Sequence, residues 1–92
     1  MTKLSEHKNI YFIGIGGISM SSLAEILVSK NYNVEGSNNV ENDMTKYLTS
    51  KGIKINIGHN KENITNDIDL VVYTAAISSD NEELVKAQEL YI

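Results

Sequence analysis

The stretch Asn9 to Leu27, NIYFIGIGGISMSSLAEIL, constrains this chain more than any other part of it. Asn9 to Ile15 is an apolar, β-branched and aromatic run of strand length, ending at Gly14, Gly16 and Gly17, where the backbone must turn. From Ile18 to Asn31 the period changes. Met20, Leu23, Ala24 and Leu27 fall on one face while Ser22, Glu25 and Ser29 fall on another, which is helical spacing. Lys30 suits a helix C-terminus and Asn31 can take the left-handed cap. A strand that turns on glycines straight into a helix is the first half of a βαβ unit. The return limb, Asn33 to Ser37 (NVEGS), arrives where the second strand is expected.

The alternation continues to the end of the chain. Asn42 and Asp43 are cap residues ahead of the i, i+3, i+4 apolar face of Met44, Tyr47 and Leu48, and Gly52 after Lys51 stops this second helix. Lys54 to Ile57 alternates as an edge strand does. Asp69 to Thr74 (DLVVYT) is a continuous apolar run, which reads as a central strand covered on both faces. Ser79 and Glu82 have capping-box spacing, with Leu84, Val85, Ala87 and Gln88 continuing a final helix. Strands alternating with helices require parallel neighbours and crossover connections, so the expected class is α/β with a Rossmann-like parallel sheet. The link from Asn60 to Asp69 is long enough to cross two strands, which allows the order 3-2-1-4 with a fifth strand lost or incomplete at the C-terminus. In that order a crevice opens between strands one and four, outside their carboxyl ends.

Composition narrows what such a crevice can serve. With 92 residues there is room for one domain, expected over residues 9–92 behind a polar leader at residues 1–8. There is no Cys, hence no thiol nucleophile and no disulfide, which fits a cytoplasmic location. The net charge of -4, with eight Lys and no Arg, argues against a nucleic-acid surface. No apolar run approaches the roughly 20 residues of a membrane span.

Within GIGGIS, Gly14 allows the tight turn and Gly16 lets a phosphate approach the backbone. The amides of Gly17, Ile18 and Ser19 then point at an anion from the positive end of the helix. Ser19 stands at the third glycine of the dinucleotide fingerprint, and its hydroxyl can donate to a phosphate or cap the helix. The Lys of a GxxxxGK[ST] loop is missing, so the site can hold a diphosphate and has no means of transferring one. Glu35 lies near the position of the ribose-binding acid of NAD domains, but the residue expected at the strand tip is neutral Asn38, able to pair with a base edge or a ribose. Ser37 and Asn38 equally suit an ordinary turn. His59, after Gly58, is placed to hydrogen-bond a ligand on the same sheet edge, and without a second ligand at metal spacing no metal role is expected. Thr74, Ala75 and Ala76 end the fourth strand with small residues, which lets a ligand lie close to the backbone.

The run IYFIGIGGISMSSLAEIL closely resembles the opening of the UDP-N-acetylmuramate:L-alanine ligases, members of the Mur ligases of cell-wall synthesis. The resemblance continues in register through Gly36-Ser37, Thr45 and Leu48, Gly52, Gly58-His59, VVYTAAI at Val71 to Ile77, and Asp80-Asn81. Asn38 stands where those ligases usually have Asp, and Glu82 where Pro is usual. The resemblance implies a Rossmann-like N-terminal domain binding the UDP part of UDP-N-acetylmuramate: the glycine loop on the diphosphate, and Ser37, Asn38, His59 and Thr74 to Ala76 along the nucleotide and sugar. It further implies that ATP and Mg²⁺ are used by the full-length enzyme, with central and C-terminal ligase domains carrying the chemistry and none of it in this segment. The competing expectation is an NAD or ADP-sensing Rossmann regulatory module, supported by the glycine pattern and Glu35.

Overall fold

In a computed structural model that describes residues 9–90 and 92, the chain alternates strand and helix: β1 (Asn9–Ile13), α1 (Ile18–Ser29), β2 (Asn33–Asn38), α2 (Asp43–Ser50), β3 (Lys54–Ile57), β4 (Leu70–Val72) and α3 (Glu82–Glu89), with a 3-10 turn at Lys61–Asn63 between β3 and β4. The polar leader expected at residues 1–8 lies outside the described residues. All strand pairs are parallel and the order is β3-β2-β1-β4, as the link length allowed.

Alternation along the strands sends side chains to two cores. Ile10, Phe12 and Val34 meet Met20, Ala24 and Leu27 of α1 and Leu48 of α2. Tyr11 and Ile13 meet Leu84 and Ala87 of α3, together with Ile64 from the β3–β4 link. That link thus crosses two strands while burying an Ile that is 3% exposed. Each such fully buried apolar side chain contributes roughly 1.5–3 kcal/mol. The loop after β1 is anchored by Ile15, which packs on Gly36: a Cβ there would come within 2.8 Å of both the Ile15 Cδ1 and the Phe12 carbonyl.

Local signals set the helix ends. Asn31 adopts φ 71° after α1, and Gly52 adopts φ 91° after α2. Asn42 caps α2 in a reciprocal box with Thr45. Two expectations are corrected. The cap of α3 is Asn81, whose side chain accepts from the Glu83 and Leu84 amides. Ser79 forms no capping box, and the Glu82 carboxylate instead accepts from the Lys61 amide at 3.1 Å. Second, β4 is an edge strand and not a central one, since among the described residues it pairs with β1 alone. It is also shorter than the apolar run, and Leu70 is 38% exposed. An apolar run reports affinity for a buried place, while sheet order is decided by which neighbours pair, and here β1 and β2 take the centre.

Candidate functional site

Because the four strands are parallel, their carboxyl ends share one edge, and the loops leaving them meet there. The glycine loop leaves β1, Asn38 ends β2, Gly58 and His59 follow β3, and Thr74 to Ala76 follow β4. Backbone bonds tie the edge together. The Gly14 and Ile15 amides both donate to the Ser37 carbonyl at 2.9 Å, and the Gly58 amide donates to the Asn38 carbonyl at 2.7 Å. Gly14 turns with φ 81°, a conformation that favours glycine.

The loop's amides divide into two sets. The Gly16 amide donates to Asn38 Oδ1 at 3.2 Å, and the Gly17 amide to the Gly14 carbonyl at 3.2 Å. Gly17 is the extended N-cap of α1 and supplies no side-chain cap, so Ile18 and Ser19, both exposed residues, open the helix at its positive end. Of the three amides expected to face an anion, Gly17's is thus bonded within the loop, and those of Ile18 and Ser19 make no hydrogen bond to any described residue. Ile18 itself is 84% exposed.

Gly16 needs its missing side chain for a different reason than a positive φ, which it does not have. A Cβ there would lie 2.8–2.9 Å from the Asn38 amide group. Asn38 is folded over the loop: besides accepting from Gly16, its Nδ2 donates to the Val40 carbonyl at 2.9 Å. One N–H and one lone pair remain for a ligand.

Ser37 and His59 belong to a buried polar cluster that the sequence did not reveal. Ser37 is 0% exposed, and its hydroxyl donates to Glu83 of α3 and lies 2.8 Å from His59 Nδ1. Ser37 therefore lies beneath the strand-end edge, joined to it through His59. Glu83, also fully buried, accepts in addition from Tyr11 Oη at 2.6 Å, Asn63 Nδ2 at 2.9 Å and the Asn60 amide at 3.3 Å. Burial, reinforced by that carboxylate, pushes the Tyr11 phenol well above its usual range. By position Glu83 is a first-turn acid of α3, a place where acids ordinarily serve the helix dipole. The available signal was its helical spacing, which puts it on the Leu84 and Ala87 side.

On the outer edge, Thr74, Ala75 and Ala76 are exposed and closed into a turn by the Ala76 amide on Thr74 Oγ1 at 3.3 Å and the Ile77 amide on the Thr74 carbonyl at 3.0 Å. Glu35, which supported the dinucleotide alternative, lies in mid-strand in register with Tyr11 and Lys54. Its carboxylate accepts from Asn56 Nδ2 at 2.9 Å and sits 3.9 Å from Lys54 Nζ, away from the strand tips. That removes the acid on which the alternative rested. A cavity of about 300 Å³ lined by Asn9, Tyr32, Asn33 and Asp67 opens at the opposite, amino end of the sheet. Among the described residues no helix is long and apolar enough to cross a membrane.

Residues 9–92 match the family described as "Mur ligase family, catalytic domain". The chain is 59% identical over 86 residues to a UDP-N-acetylmuramate–L-alanine ligase of Clostridium novyi and 58% identical over 87 residues to that of Clostridium kluyveri, covering 94% and 95% of this chain. It spans about a fifth of the length of these relatives, 19% in each case. The crystal structure of the UDP-N-acetylmuramate-alanine ligase of Thermotoga maritima superposes with a TM-score of 0.88 at 42% identity, over 94% of this chain and 20% of that one. A murein peptide ligase from Psychrobacter arcticus shares the fold at 24% identity, TM-score 0.84, over 92% of this chain and 18% of that one.

Proposed function

This chain belongs to the Mur ligase family, and from that premise we propose that it binds the UDP portion of UDP-N-acetylmuramate as the N-terminal domain of an ATP-dependent ligase that adds L-alanine in peptidoglycan precursor synthesis. The observation that carries the reading is the glycine turn delivering the exposed start of α1, with the Ile18 and Ser19 amides bonded to no described residue, to the edge where all four strand ends meet. A helix start of this kind receives phosphate oxygens. The names of the relatives supply the substrate.

In this reading the diphosphate lies against Ile18 and Ser19 over the turn of Gly14, Gly16 and Gly17. The nucleoside and sugar run past Asn38 and His59 on one side and Thr74, Ala75 and Ala76 on the other. The domain captures substrate and performs no phosphoryl transfer, since its loop has no Lys to reach a nucleotide's terminal phosphates. ATP, Mg²⁺ and the central and C-terminal ligase domains supply activation of the muramoyl carboxylate and attack by the amine of L-alanine. The location is the cytoplasm.

The test is an NMR titration of the ¹⁵N-labelled chain with UDP-N-acetylmuramate, UDP, NAD and ATP in parallel. UDP compounds are expected to move the Ile18 and Ser19 amides most, and NAD much less. Saturable shifts with NAD and none with UDP would overturn the reading.

A further inference from the structure

Glu83 is placed to do more than join α3 to the sheet. We infer that it is a positioning residue, which through Ser37 holds the His59 imidazole in the Nδ1–H form and so presents Nε2 to the crevice as a hydrogen-bond acceptor. The inference rests on the proposed reading of that crevice as a UDP-ligand site.

The proton count makes the case. Ser37 has one hydroxyl proton, and the geometry directs it to Glu83 Oε1. The proton between Ser37 Oγ and His59 Nδ1, 2.8 Å apart, must then come from the imidazole. Glu83 Oε1 also lies 3.4 Å from the same Nδ1, so two oxygen acceptors face that nitrogen and no donor does. The carboxylate cannot turn to change this. Its other oxygen, Oε2, is held by Tyr11 Oη, Asn63 Nδ2 and the Asn60 amide. A neutral imidazole with its proton on Nδ1 carries a lone pair on Nε2. Nε2 makes no hydrogen bond to any described residue, and about a fifth of the His59 side chain (21%) is open to solvent. What such an atom accepts is a ribose hydroxyl or the imide N–H of a uracil, both present in a UDP compound and neither belonging to the diphosphate.

Glu83→Gln tests the chain of bonds because it should reverse its direction. Three donors converge on Oε2, so the new carboxamide keeps its oxygen there and turns its NH₂ toward Ser37. Ser37 then accepts from Gln, donates its own proton to Nδ1, and drives His59 to the Nε2–H form. The readout is the pair of ring ¹⁵N resonances of His59 at a pH where the ring is neutral. The expected result is a protonated-type Nδ1 and an unprotonated-type Nε2 in the parent chain, exchanged in Glu83→Gln, with UDP affinity weakened roughly two- to tenfold, the worth of one hydrogen bond. Leu84→Ala, a truncation in the same helix that loosens the packing beside Tyr11 but removes no hydrogen-bonding group of the cluster, should leave both resonances in place. Should Glu83→Gln not fold, Ser37→Ala removes the nearer acceptor and should move the two resonances toward each other. An Nε2–H ring in the parent, or a ring unchanged by Glu83→Gln or, failing that, by Ser37→Ala, would overturn the inference. If UDP moves the Ile18 and Ser19 amides but not Nε2, the positioning role fails while the crevice reading stands. If UDP moves neither although the ring is Nδ1–H, the crevice reading fails and the ligand-facing role of Nε2 fails with it.

Discussion

Substituting Gly16 with Ala should be costly only while Asn38 is present. The reason is specific: Gly16 has no positive φ to lose, and the three atoms nearest to the added Cβ all belong to the Asn38 amide group, at 2.8–2.9 Å. Real Cβ contacts are not that short, so Asn38 must swing away and give up its bonds to the Gly16 amide and the Val40 carbonyl. Two hydrogen bonds at about 0.5–1.5 kcal/mol each put the loss at about 1–3 kcal/mol, offset by the roughly 0.4–1 kcal/mol that Ala gains by restricting the unfolded chain. With Asn38→Ala already in place, the obstruction is gone and only the gain remains, so Gly16→Ala should then be neutral or stabilising. A double-mutant cycle by urea denaturation reads this as a coupling of about 1–3 kcal/mol between two residues 22 apart in sequence. In thermal scans each 1 kcal/mol should appear as about 4–8 °C in a chain of this size. Additive single-variant effects would refute the reasoning and show that the glycine serves the turn itself.

Gly36→Ala should destabilise by about 1–3 kcal/mol in the same assay, because the new methyl would overlap the Phe12 carbonyl, a backbone atom in the centre of the sheet that has no room to yield. Stability should fall as pH rises above about 10, the ordinary phenol value: Tyr11 ionises more readily in the unfolded chain than in the fold, where burial and Glu83 raise its pKa, so protons are lost on unfolding. Below that pH the contribution is fully present. Tyr11→Phe should flatten that part of the alkaline profile relative to the parent, and an unchanged slope would show that Tyr11 ionises freely in the folded chain.

What the sequence determined by itself was everything that depends on near neighbours. The apolar, β-branched run of β1, the 3.6-residue period of α1, the left-handed turn at Asn31, the Asn42 cap and the Gly52 stop are each settled within a few residues, and each lies in the structure where its pattern put it. The glycine turn into α1 was legible for the same reason, and the length of one link allowed the strand order that the fold adopts. Tertiary packing decided the rest. Whether β4 is central depends on what pairs with it, which an apolar run does not encode. Asn38 accepts from the amide of Gly16, 22 residues away, and Ser37 turns its hydroxyl into a cluster completed 46 residues later by Glu83. A buried carboxylate is tolerated only when enough donors converge on it. Those on Glu83 come from β1, β2 and the β3–β4 link, which only the folded sheet brings together.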